Sequence, residues 1–326
     1  MTAVEIITAR EVPLGGPRAM TVHRTLPQRQ RSLIGAWCFV DHYGPDDVSA
    51  TGGMDVAPHP HTGLQTVSWL FEGTITHHDS ADNHAVVRPT EVNLMTAGSG
   101  ICHSEVSTQE TTVLHGVQLW VALPDGRRNG PQEFEHFVPQ PVELTSDTGE
   151  SAGTGWVFVG DLLDQHSPVR VYTPLVGAEL RLKPGATITV EVNPDFEHGI
   201  LVDSGSLTLS GTPVARRELA YTGIGETELV LTADPAEETR LIFLGGEPFG
   251  EQITMFWNFI GRSTEEIRQF RADWQDQNER FGHVEGYISH DPKGLTWLPS
   301  PELPNIHLKP RVNPEPVARP EKRIDV

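Results

Sequence analysis

Two short runs in the first third of the chain carry residue types that bind metals. His59-Pro60-His61 and His103-Ser104-Glu105 each set two candidate ligands one residue apart. In a β-strand, residues i and i+2 project from the same face, so each pair would point both side chains the same way. Two such pairs on neighbouring strands could bring three imidazoles and one carboxylate to a single point. Neutral nitrogens with one carboxylate suit a borderline divalent ion such as Fe(II), Ni(II), Cu(II) or Zn(II). No sulfur joins the set, which argues against a structural thiolate site. Cys102 and Ser104 alternate to the other face, and Cys102 reads as a small core residue. Four protein ligands on an octahedral ion leave two positions open, which implies catalysis or ligand binding. A single His-x-His is more often a pair of ordinary surface or core histidines. The second pair, approached through Ala97-Gly98-Ser99-Gly100, turns the reading toward a metal.

The chain holds fifteen histidines, and most have a plainer expectation. His77 and His78 alternate to opposite faces; either could line a pocket or orient a ligand, but an ordinary polar strand position comes first. His115 lies on the apolar parity of its strand and reads as a satisfied core histidine. His84, beside Asn83, falls in a predicted exposed turn. His198, in Asp195-Phe196-Glu197-His198-Gly199, stands alone in the second half and reads as structural. Gly98 and Gly100 fit a demand of backbone geometry and not phosphate binding, since no P-loop lysine motif accompanies them. A Ser-His-Asp nucleophile elbow is also missing.

The elements that must position these residues are predominantly β. Length suggests about two domains, and 37% hydrophobic against 21% charged residues is enough for globular cores. Glycine, proline, asparagine and aspartate punctuate short apolar runs every 8–12 residues, the spacing of a sandwich or barrel. The clearest strand covers residues 113–123, with Val113, His115, Val117, Leu119 and Val121 on one parity. Trp69, Phe71, Met95 and Trp120 are expected to pack a barrel. One helix is predicted after the capping box Ser263-Thr264-Glu265-Glu266, with Ile267, Phe270 and Trp274 on its buried stripe and Gly282 as the stop. Net charge is −20, from 24 Lys+Arg against 44 Asp+Glu; such a field repels phosphate backbones and anionic membranes, which excludes nucleic acid and lipid surfaces as expected partners. Two cysteines rule out a disulfide scaffold and suggest a reducing compartment. The opening Met1-Thr2-Ala3-Val4-Glu5 does not read as a signal peptide, and no run approaches the roughly 18 apolar residues of a membrane helix. The expected location is cytoplasmic.

The residues around the two ligand pairs resemble the pirin family of the cupin superfamily. The likeness runs through His59-Pro60-His61-Thr62-Gly63, Thr66, Gly73, His78-Asp79-Ser80, and Met95 to Glu105 with its Ala97-Gly98-Ser99-Gly100-Ile101-Cys102-His103 approach. Arg24-Thr25-Leu26-Pro27 and Asp41-His42-Tyr43-Gly44-Pro45 extend it upstream. Gln118-Leu119-Trp120-Val121 and Gly245-Gly246-Glu247-Pro248 extend it downstream, so that it covers about residues 15–280. The resemblance implies an all-β bicupin: two cupin-type β-barrels, one short C-terminal helix and a Pro-rich tail. Residues 1–142 would form a metal-binding barrel, 143–155 a linker or exposed loop, 156–290 a barrel without metal, and 291–326 the tail. The family's ligand motif maps onto His59, His61, His103 and Glu105, and its usual metal is iron, Fe(II), with Ni, Cu, Mn or Zn as alternatives. Some pirins resemble quercetinases, which open a flavonol ring with dioxygen and release carbon monoxide; Glu105 would be the base. The alternative implied by the family is a metal-dependent regulatory protein that acts on a protein partner without turnover. Gln65 stands where many cupins carry a glutamate ligand, and Trp69, Ala85 and Thr90 depart from residues common in pirins.

Overall fold

The computed structural model describes residues 2–14, 18, 20–290, 294–311 and 313–320. The tail expectation at 291–293, 312 and 321–326 therefore lies outside the described residues, as do positions 15–17 and 19 of the family-like stretch.

Two β-barrels stand face to face, each built from a large and a small antiparallel sheet. In the first, the large sheet runs Glu133–Phe137, Val92–Thr96, Leu64–Glu72, Val113–Ala122, Trp37–Asp47, Met20–Leu26 and Arg10–Leu14. Its small sheet runs Asp55–His61, Ile101–Ser107, Ile75–Asp79 and His84–Val87. The second barrel repeats the plan with Thr187–Glu191, Glu228–Ala233, Leu207–Leu209 and Thr212–Val214 as its small sheet. The strand expected at 113–123 is present as Val113–Ala122.

The two large sheets meet across a shared apolar layer. Val67, Trp69, Phe71, Val117 and Leu119 of the first pack against Phe158, Leu175, Leu201, Ile242 and Leu244 of the second. Trp69 and Phe71 thus point out of their barrel into the interface, with Trp69 stacked on Phe158 at 4.6 Å between centroids. The Trp69 indole Nε1 donates to Glu179 Oε2 across the layer (2.6 Å), so the one polar atom of a buried tryptophan is satisfied. Gln65, far from being a ligand, sits in the same layer and donates to the Arg170 carbonyl oxygen.

Chain order and spatial order part at three places. Glu5–Ile7, in the segment expected to belong to the first barrel, pairs with Leu219–Thr222 of the second. Residues 143–155, expected as a linker or exposed loop, lie largely in a hairpin of Val142–Thr145 and Ser151–Leu162 on the edge of the second barrel, with Leu144, Ala152, Gly153 and Gly155 buried. The helix Thr264–Gln275 follows the second barrel in sequence but packs back on the first, where Ile267, Phe270 and Trp274 cover Cys102 and Phe281. Ser263 accepts from the Glu266 amide as a capping box requires, yet Glu266 reaches back to the Arg262 amide, one residue earlier than expected. The helix ends at Gln275, well before Gly282, which instead lies against Ser80 with a φ of +66°. The described tail is draped along the body: the Leu298 amide donates to the Pro58 carbonyl, and the Asn313 side-chain oxygen accepts from the Ser32 and Leu33 amides. Among the described residues, no helix is long and apolar enough to cross a membrane.

Candidate metal centre

The strand Asp55–His61 is the edge of its sheet, which is where two prolines lacking ladder donors can be tolerated. It pairs with Ile101–Ser107 so that His59 lies directly opposite His103, and the register then slips so that Glu105 faces Val56. One extra residue at that point is a β-bulge, a device that re-aims side chains next to functional sites. Gly98, in the turn before Ile101–Ser107, has a φ of +53°, and a Cβ there would meet the Gly130 carbonyl oxygen at 2.2 Å. The approach to His103 therefore requires glycine at that position.

Three imidazoles converge as alternation predicts. Ring centroids are separated by 4.3 Å (His59–His103), 4.9 Å (His61–His103) and 5.1 Å (His59–His61). One nitrogen from each lies within 4.8 Å of the others, and His61 Nε2 is 3.0 Å from His103 Nε2. All three residues are buried. Burial pushes His59 down to about 4, against the opposing pull of its bond to Ala57, and holds His61 and His103 well below the ordinary histidine value. At neutral pH these rings keep their lone pairs. His59 Nδ1 donates to the Ala57 carbonyl oxygen (2.9 Å), which leaves Nε2 as the free donor to an ion. The donor set fits a divalent metal.

Glu105 sits slightly apart from this trio. Its carboxylate groups with His103 and His77, not with all three imidazoles, although all four expected residues line one cavity of about 330 Å³. Burial raises the Glu105 pKa, opposed by His77 and by the hydrogen bond from Ser68. Ser68 Oγ is 3.2 Å from Glu105 Oε1 and 2.9 Å from Gln118 Oε1. One hydroxyl hydrogen cannot serve both acceptors. With Glu105 ionised, the Gln118 amide must present its nitrogen to Ser68; with Glu105 protonated, its oxygen.

The sequence reading put an ordinary polar strand position first for His77; the structure sets it against the candidate site. It is buried beside the trio, its Nδ1 3.3 Å from His103 Nδ1 and its Nε2 3.3 Å from Asp79 Oδ2. Asp79 is in turn fixed by the Ala81 and Asn83 amides and the Asn83 side chain. The strand Ile75–Asp79 places His77 opposite Glu105 and Asp79 opposite His103. A signal was present: His77 and Asp79 share the spacing of two that marks both ligand pairs. His78 faces away toward His84, whose side chain is about half exposed. A second buried group of two imidazoles and a carboxylate lies between the barrels, where Asp203 Oδ1 is 2.6 Å from His42 Nε2 and 2.5 Å from His115 Nε2. His115 is thus a satisfied core histidine, as its parity suggested. Burial would raise Asp203, but the two imidazole bonds overcome it and hold its carboxyl well below the usual range.

Residues 19–121 match the pirin family model, and residues 177–282 match that of the pirin C-terminal cupin domain. The chain belongs to the pirin family. Among curated pirin relatives, a Pseudomonas aeruginosa protein provisionally named a quercetin 2,3-dioxygenase is 42% identical over 86% of this chain and 86% of its own. The crystal structure of a quercetin 2,3-dioxygenase from Acinetobacter baumannii, 36% identical, superposes with a TM-score of 0.85 over 93% of this chain and 97% of that one. A bacterial pirin from Escherichia coli, solved in complex with nickel(II), shares the fold at 17% identity, with a TM-score of 0.56 over 75% of this chain and 99% of that one.

Proposed function

We propose that the first barrel binds one divalent metal, with Fe(II) expected ahead of Ni, Cu, Mn or Zn, on His59, His61, His103 and Glu105. In this reading the pirin is a dioxygenase of the quercetinase type that opens a flavonol-like substrate with dioxygen. One observation carries the proposal: three buried neutral imidazoles converge on the wall of a cavity of about 330 Å³ that also receives a buried carboxylate. The names borne by the Pseudomonas relative and the Acinetobacter structure support the reaction class.

A divalent ion bound there would supply Lewis acidity and redox chemistry. The protein's own part begins with three imidazoles that burial keeps unprotonated, so that ions and not protons compete for them. Glu105 takes the substrate hydroxyl proton. The Ser68 hydroxyl, 3.2 Å away, holds its Oε1 in place. The cavity is at the small end of ligand sites, which suits one planar molecule with little accompanying water.

The test is elemental analysis of the purified protein followed by an anaerobic-to-aerobic assay with a flavonol panel. About one ion per chain is expected, with oxygen uptake that requires both ion and flavonol, and both are lost in His61→Ala. Intact metal content and turnover in His61→Ala would refute the ligand set. Stable capture of a protein partner with no oxygen uptake would favour the regulatory role over the enzyme.

A further inference from the structure

The wall of the cavity has a second polar pole that no step above uses. A column of side chains leads to it from the histidines: His61 meets the edge of Trp120 (5.1 Å between centroids), Trp120 stacks on Phe39 (3.9 Å, 11° between planes), and the Arg24 guanidinium caps Phe39 at 4.3 Å. Arg24 Nε and Nη2 both donate to Asp41, each at 2.7 Å, in a bidentate fork. The fork is cross-strand: Arg24 lies opposite Asp41, and Asp41 opposite Gln118. Arg24, Asp41 and Gln118 all line the cavity with the histidines and Glu105. Asp41 is buried, whereas Arg24 keeps about a fifth of its side chain accessible. Apolar side chains also line the cavity, among them Val22, Met54, Val56 and Leu298.

An ion pair here stabilises little that a packed apolar pair could not, and its cavity-facing position presents both hydrogen-bond roles within one neutral group. Arg24 Nη1 lies outside the fork and can donate; the unused lone pairs of Asp41 can accept. A carboxylate on the ligand would meet Arg24 but also the Asp41 charge beside it. A phenolic hydroxyl, donor and acceptor without charge, meets both partners. We propose, resting on the reading of the site as one for flavonols, that the Arg24–Asp41 pair selects a planar aromatic substrate bearing a neutral hydroxyl on the ring remote from the metal-binding end. Arg24 and Asp41 act as specificity residues: they hold the far ring and take no part in proton transfer.

The test is an anaerobic fluorescence titration of the metal-loaded full chain with quercetin, with galangin, which keeps the fused-ring and 3-hydroxyls but lacks those on the phenyl ring, and with galangin's 4′-carboxylate analogue. Wild type should hold quercetin about tenfold tighter than galangin, one net hydrogen bond's worth, and bind the carboxylate most weakly. The paired replacement Arg24→Met with Asp41→Leu leaves no buried charge unpaired. It should bring the quercetin preference to about one and raise the quercetin KM about tenfold while kcat stays within twofold. Should that protein fail to fold, Arg24→Lys, which keeps the charge and breaks the fork, should reduce the preference at least threefold. An unchanged preference in these variants, or tightest binding of the carboxylate, would overturn the selectivity while leaving the flavonol reading intact. No binding of any of the three by wild type would overturn both.

Discussion

The two barrels share a strand plan and differ in what fills them. The second is filled by apolar side chains: Leu180, Ile188, Val190, Leu209, Leu229, Leu231 and Phe243 are all buried in one cluster. At the corresponding heart, the first has histidines, Glu105, Gln118 and open space. His198 shows why one imidazole does not make a second centre. It is buried in the filled barrel, pushed down to about 4 by burial, with Thr222 and Phe243 as neighbours instead of other ligands. The same architecture thus yields a cavity or a core according to side-chain volume and polarity alone, which is why fold does not fix chemistry. The filled barrel also serves the hollow one: Glu179 and Asp203 reach across the shared layer to Trp69, His42 and His115.

The contrast can be broken most forcefully at the trio. His103→Ala should abolish metal binding and cut turnover by more than about a hundredfold, beyond the loss typical of residues that only support a ligand. The mirror experiment, His198→Ala, should leave metal content unchanged; a loss of metal there would erase the asymmetry between barrels. Next in size is packing. Leu231→Ala opens a hole in a filled core and should cost about 2–5 kcal/mol in urea unfolding, with activity per folded molecule preserved. Val22→Ala, on a wall that already faces space, should cost less than half of that and instead shift KM. Equal costs would mean that the first barrel is as tightly packed as the second.

A smaller effect is expected at His77. His77→Asn should weaken metal affinity by about 10–100-fold in a chelator competition, because His103 loses the partner that orients its Nδ1. Unaltered affinity would demote His77 to a plain core residue. The last effect is on pH dependence. Below the ordinary histidine pKa near 6.5, the unfolded chain protonates His198 while the folded barrel refuses the proton down to about 4. Stability must therefore fall as pH drops through that window, by up to about 1.4 kcal/mol per unit for this group. His198→Gln should flatten the slope by that amount in urea titrations between pH 4.5 and 7.

The fold was legible because apolar runs at turn-punctuated spacing declare a barrel, and the helix because its cap and stripe agree. Chain membership was not: nothing in Glu5-Ile6-Ile7 says that it will pair with Leu219–Thr222, since its partner is fixed by tertiary packing. Nor does the polar composition of residues 143–155 betray a hairpin on a sheet edge. At the site, period-two alternation was enough to group His59, His61 and His103. It was not enough for Glu105, because a bulge two residues from His59 changes the register there. His77 was obscured because its role depends on which strand lies beside Ile101–Ser107, a non-local fact. Asp203 escaped for the same reason, lying 161 residues from His42 and 88 from His115.

The most direct measurement is anomalous diffraction at the metal edge from crystals of the purified protein, with occupancy refined at every buried histidine cluster. A single peak within coordination distance of His59, His61 and His103, with Glu105 drawn in from its place beside His77 to complete the set, is the predicted result. A peak at His42, His115 and Asp203 instead, or an empty first barrel in protein that still consumes oxygen with a flavonol, would contradict it.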